Sequence, residues 1–107
     1  MNKHSYVPSD EHLGAVADIF AALGDPTRLR ILTALSGEER CVCDLVGLTG
    51  VSQSGVSHQL KSLRDMDLVA FERRGKHIFY RLADEHVHTL LSQAIDHTAE
   101  HFGGGRP

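Results

Sequence analysis

Two short helical segments joined by a tight turn, followed at once by a switch to extended patterning, occupy the middle of this 107-residue chain. Leu45, Val46 and Leu48 form the inward stripe of a short helix over residues 42–49, and Gly50 suits its C-terminal cap. Ser52 is placed as the N-cap of a second helix over 53–66, with Val56, Leu60 and Leu63 inward. Two such helices joined by Gly50-Val51-Ser52 carry the signature of a helix-turn-helix. Beyond Met66 the helical period is lost. Residues 68–74 and 77–82 are rich in β-branched and aromatic side chains and flank Gly75-Lys76, which predicts a β-hairpin with a basic tip.

Helices are expected on both sides of this unit. Leu13, Val16, Ala17 and Phe20, at i, i+3, i+4 and i+7, predict one from Ser9 to Gly24. Asp25-Pro26 caps and opens the next, which turns Leu29, Leu32 and Leu35 inward and stops at Ser36-Gly37. The last helix opens at Asp84 and runs to Phe102, with Val87, Leu90, Leu91, Ala94 and Thr98 on one face, until three glycines end it. The expected fold is therefore mainly α with one small β-hairpin, in the order α-α-α-α-β-β-α. That is a winged helix-turn-helix, the hairpin being the wing. A single domain is expected over residues 9–102, between a disordered arm at 1–8 and a flexible tail at 103–107.

Several classes of protein are excluded. No apolar run approaches the roughly 18–20 residues of a membrane span. Residues 1–10 hold one lysine and no apolar segment of the signal-peptide kind. Cys41 and Cys43, the only cysteines, stand one residue apart and cannot staple distant segments. A cytoplasmic protein with no membrane partner is the expectation. An enzyme is not expected, because Ser57 and His58 are outward neighbours with no orienting third group.

The formal net charge of −3 hides an uneven distribution. Residues 58–81 carry six basic side chains against three acidic ones, while residues 1–25 and 84–107 are each net −3. A basic middle between acidic ends suits a DNA-binding unit with a separate acidic site. With Val56, Leu60 and Leu63 inward, Ser54, Ser57, His58 and Lys61 point outward, small or basic groups that can approach base edges and phosphates. Gln53, near the start of the same helix, can both donate to and accept from adenine. Arg73, Arg74, Lys76 and His77 on the wing complete the candidate DNA-binding set, reaching phosphate or the minor groove. An ordinary polar helix face beside a solvated hairpin would show the same pattern.

Four of the eight histidines lie between residues 86 and 101. On a helical wheel His86, His97 and Glu100 share one flank, within about 60° of each other, whereas His88 lies on the opposite flank. His86 and His97 are separated by about 16 Å along the axis, so one helix cannot bring both to one ion. Two copies packed antiparallel could, joining Asp84 and His86 of one chain to His97 and Glu100 of the other in two symmetry-related sites. Two imidazoles and two carboxylates suit zinc; cobalt is chemically close, and nickel wants more ligands. A plain soluble helix with scattered His and acidic residues is equally compatible with the spacing. Cys41 and Cys43 form a possible second site for a soft metal, short of a third ligand unless His4, Asp10 or His12 supplies it, and two small buried apolar side chains is the other reading.

Taken together these residues resemble the ArsR/SmtB family of metal-sensing repressors, from about Ala17 to His101. The resemblance is carried by ALGDPTRLRIL at 22–32, CVCDL at 41–45, VSQSGVSHQLKSL at 51–63 and RGKHIFY at 74–80. It implies a winged-helix homodimer that binds operator DNA and releases it on binding metal. The zinc-sensing branch carries an Asp-x-His pair and a later His-x-x-Glu or His-x-x-His pair, which match Asp84, His86, His97 and Glu100. The family's other site uses the Cys-Val-Cys motif matched by Cys41 and Cys43, but the additional cysteines it needs are absent here. A nickel- or cobalt-responsive repressor, a thiol-responsive one acting through Cys41 and Cys43, and a winged-helix interaction module that does not bind DNA stand as alternatives.

Overall fold

The structure, a computed structural model, describes residues 7–102. Local capping chemistry sets its helix starts. Ser9 opens α1 (Asp10–Leu23), its hydroxyl accepting the His12 amide at 3.1 Å. Asp25 opens α2 (Pro26–Leu35) in the same way, accepting the Arg28 amide at 2.9 Å, with proline where no N–H is needed. α3 (Val42–Thr49) ends on Gly50, whose φ of 75° is a left-handed conformation suited to glycine. Ser52 then caps α4 (Gln53–Asp65) by accepting the Gly55 amide at 3.1 Å. β1 (Val69–Arg74) and β2 (His77–Leu82) pair antiparallel, from Val69 opposite Leu82 to Arg74 opposite His77. Asp84 caps α5 (Glu85–Ala99), which closes in a single 3₁₀ turn at Glu100–Phe102.

This is the expected winged helix-turn-helix, in the expected order. Of the expected N-terminal arm only Val7 and Pro8 fall among the described residues, and the expected tail lies outside them. Ile31, Leu32 and Leu35 of α2, Leu45 of α3, and Val56, Leu60 and Leu63 of α4 meet in one core, joined by Ala22, Leu68, Val69, Val87 and Leu91. At the helix-turn-helix, a Cβ on Gly55 would lie 2.9 Å from Val51 Cγ1 and 3.0 Å from the Ser52 hydroxyl. Glycine there lets α4 close onto its own turn. The wing gains a short third partner from the α2–α3 connection, because the Arg40 and Tyr80 backbones exchange hydrogen bonds of 2.9 and 2.7 Å.

One expected burial is corrected, in α3, and the apolar stripes of α1 and α5 are at most partly covered. The α1 stripe of Leu13, Val16, Ala17 and Phe20 is exposed; α1 docks instead through Ala22, with Ile19 and Leu23 half-buried. In α3 only Leu45 is fully covered and Val46 partly, while Leu48 is 58% exposed, because a two-turn helix touching α2 and α4 along one seam covers a single stripe. In α5 Val87 and Leu91 face the core, but Leu90, Ala94 and Thr98 face outward together with Ile95. Among the described residues no further layer covers α1 or the outer side of α5. The radius of gyration, 15.6 Å, exceeds the about 13 Å of a compact domain of this length, in keeping with helices that project from the body.

Leu60→Ala should cost about 2–5 kcal/mol through loss of packing and the cavity left behind, whereas Leu48→Ala should stay within about 0.5 kcal/mol. Urea unfolding at matched protomer concentration checks both; a Leu48 loss as large as that at Leu60 would contradict the exposure described.

Candidate nucleic-acid interface and metal centre

Burial of Val56, Leu60 and Leu63 turns the other side of α4 to solvent, and Gln53, Ser54, Ser57, His58 and Lys61 are all exposed there. Lys61 lies 3.7 Å from Asp65, a pair exposed on both sides and worth little. On the wing Arg73, Lys76 and His77 are exposed, and among the described residues Arg73 and Lys76 form no ion pair. Recognition helix and wing thus present small hydroxyls, an amide and basic groups, the side-chain types that approach phosphates and base edges.

Arg74 differs from the other wing cations. Its guanidinium forks onto both carboxylate oxygens of Glu39, with Nη2–Oε2 at 2.9 Å, and also reaches Glu72 at 3.1 and 3.2 Å. It lies 4.9 Å from the centre of the Phe79 ring. The hydrogen bond from Arg74, and then its charge, hold the Glu72 carboxyl below its ordinary 4.5, while Glu72 and Glu39 in turn raise Arg74. Sequence reading placed Arg74 with the DNA contacts and missed Glu39. Nothing local marks Glu39, since it lies 35 residues away and only the return of β2 past the α2–α3 connection makes them neighbours.

α5 carries the other candidate residues. Asp84 Oδ1 accepts the Val87 amide at 3.1 Å and stands 3.6 Å from His86 Nδ1. The His86 side chain is 93% exposed. At the far end His97 and Glu100, three residues apart, are likewise exposed. His88, on the opposite flank, is engaged within the chain, 2.9 Å from the Ser36 hydroxyl. Each exposed pair offers one nitrogen and one oxygen donor, half of the four-ligand set zinc takes. Among the described residues no three His, Cys, Asp or Glu side chains converge, and the two pairs stand apart at opposite ends of α5. Cys41, half-buried at the α3 N-cap, and exposed Cys43 are free thiols, and neither Asp10 nor His12 joins them. His4 lies outside the described residues.

Fold and exposed basic face define a winged helix-turn-helix regulator of transcription. Residues 25–70 match the model of the family described as "Bacterial regulatory protein, arsR family". The chain is 48% identical over 85 residues to a transcriptional repressor SmtB homolog of Synechocystis sp., covering 79% of this chain and 64% of that relative. It is 46% identical over 96 residues to the HTH-type transcriptional regulator NmtR of Mycobacterium tuberculosis, covering 89% of this chain and 79% of that one. The homodimeric winged helix-turn-helix DNA-binding domain of Mb0332 from Mycobacterium bovis superposes with a TM-score of 0.80 at 31% identity, over 94% of this chain and 95% of that one. The chain belongs to the arsR family of bacterial regulators. No helix among the described residues is long and apolar enough to cross a membrane.

Because Glu72 is depressed, its ion pair with Arg74 contributes stability above the carboxyl's ordinary 4.5 and loses it as pH falls through the lowered value. Carboxyl carbon NMR should show Glu72 titrating below 4.5, and Arg74→Gln should return it toward that figure. No movement in the variant would mean that the pair does not form in solution.

Proposed function

We propose that this chain is a metal-responsive transcriptional repressor whose signal is zinc. In this reading a homodimer holds operator DNA without metal, placing α4 of each protomer in the major groove of half-sites about one helical turn apart. Gln53, Ser54, Ser57, His58 and Lys61 face the bases and adjacent phosphates, and Arg73, Lys76 and His77 extend the contact along the backbone. The homodimeric Mb0332 domain and the SmtB homolog, a repressor by name, support this arrangement.

The observation that carries the zinc reading is the pair of complementary half-sites at opposite ends of α5. Asp84 and His86 stand 3.6 Å apart at one end, and His97 and Glu100 stand one turn apart at the other. Exposed Leu90 and Ile95 lie between them on α5, and α1 exposes Leu13, Val16 and Phe20. Burying these apolar faces against a second copy, with the two α5 helices antiparallel, would bring each first pair to the other copy's second pair. Zinc bound there would supply a cross-link between protomers. Asp84, fixed by its capping bond, and His86 would hold one side; His97 and Glu100 of the second copy would hold the other. The coupling is reciprocal, typically ~1–3 kcal/mol, so that DNA weakens zinc as zinc weakens DNA. Cobalt suits the same donor set, and nickel would need further ligands.

A second reading rests on Cys43, exposed beside Cys41 at the start of α3. There the signal would be a soft metal or a thiol-directed reagent, on the same fold. A zinc competition titration of the reduced protein, repeated after alkylation of both cysteines, separates the two. Two tight zinc ions per dimer in both samples, lost in His97→Ala, are expected. Loss on alkylation would move the site to Cys41 and Cys43, and no tight zinc in either sample would overturn the zinc assignment.

A further inference from the structure

The wing is a two-stranded hairpin, and two strands alone are marginal in water. Its root is secured by Leu68 and Val69, which are buried, and by the Arg40–Tyr80 backbone pair. Toward the tip Phe71, Glu72, Arg73 and Arg74 are all exposed on β1, whereas Ile78, Phe79 and Tyr80 of β2 are half-buried, so apolar packing holds β2 and leaves the outer half of β1 to polar contacts. Beyond the root, two side-chain contacts join this outer half to the rest of the chain: Arg64 of α4 lies 4.5 Å from the centre of the Phe71 ring, and nearer the tip the forked Arg74–Glu39 pair reaches the α2–α3 connection. Glu39 is well placed for it, adjacent to Arg40 and therefore carried on the backbone segment already paired with β2.

Single exposed ion pairs contribute little, but a bidentate guanidinium–carboxylate pair within a network is the recognised exception. Arg74 has that form: two carboxylates share its five donors and the Phe79 ring lies against it. A phosphate approaching Arg74 would meet a group already matched by Glu39 and Glu72, with one negative charge in excess. Arg73 and Lys76, which have no such partners among the described residues, are the wing cations left to displace counterions from DNA.

We infer that Glu39 and Arg74 form a latch setting the wing's position on DNA, and that Arg74 is a positioning residue rather than a phosphate contact. The inference rests on DNA binding through α4 and the wing. Removing Glu39 gives it a distinctive sign. Electrostatics alone makes loss of a negative charge near DNA favourable for binding, whereas loss of a latch makes it unfavourable.

The test is the affinity of the full chain for a duplex of arbitrary sequence of about 30 base pairs, some three helical turns, measured across a salt series. Wild type, Glu39→Gln, Arg74→Gln, the double variant and Lys76→Gln are compared, with circular dichroism and thermal melting confirming that each is folded. Glu39→Gln and Arg74→Gln should each weaken binding about two- to fivefold, and the double variant should be no weaker than either. All three should keep the wild-type salt slope. Lys76→Gln should lower that slope by about 0.9 for each protomer. Tighter binding by Glu39→Gln, or a slope reduced in Arg74→Gln as in Lys76→Gln, would make Arg74 a phosphate contact that Glu39 restrains, and would overturn the latch. Absence of salt-dependent binding by the wild type would overturn the DNA reading itself, and the latch with it.

Discussion

The rotation of α4 about its own axis is the constraint on which the rest of this molecule depends. Val56, Leu60 and Leu63 are wholly or almost wholly buried against Leu45 and the α2 residues Ile31, Leu32 and Leu35. Large shifts in that rotation are costly because interiors are close-packed and do not slide continuously. Gly55 adds a second constraint at the helix start, where even a methyl group would collide with Val51. With the inner stripe set, the outward direction of Ser54, Ser57, His58 and Lys61 is no longer a free variable. The hairpin follows from the same packing, since Leu68 and Val69 extend the core directly out of α4.

α5 carries apolar residues on more than one side. Val87 and Leu91 dock it on the body, so its remaining apolar residues are turned away from the core and lie between the two polar pairs at its ends. A helix apolar over so much of its circumference belongs between two layers rather than at a surface. Its orientation is further steadied by the His88–Ser36 bond, which ties it to the end of α2 and explains why the histidine nearest His86 in sequence has a different role.

Much of the fold was legible because its signals are local. Ser9, Asp25, Ser52 and Asp84 each cap the helix that follows, and a cap needs only the next three residues to act. Leu48 misled for the opposite reason: apolar periodicity shows that a face is to be covered, not whether its own chain covers it. The placing of Asp84 and His86 at one end of α5 and of His97 and Glu100 at the other was legible, since helical geometry alone separates its ends. The Arg74–Glu39 contact was not, being created by tertiary return of the chain with no periodicity of its own. Charge counting treated all the wing cations alike, and only the neighbours of each guanidinium or ammonium distinguish them.

The Asp84 carboxylate has a task in the fold whatever binds beside it. One oxygen terminates the backbone of α5 by accepting the Val87 amide, which leaves the side chain anchored before any ion or partner arrives. Replacements that preserve the helix start are then confined to the short residues that cap well, Asn, Ser and Thr beside Asp. Positions 86, 97 and 100 take no part in starting the helix, so only what they bind restricts them. A change of ligand could therefore rewrite those three positions without cost to the helix start, while position 84 stays within a narrow alphabet set by the cap.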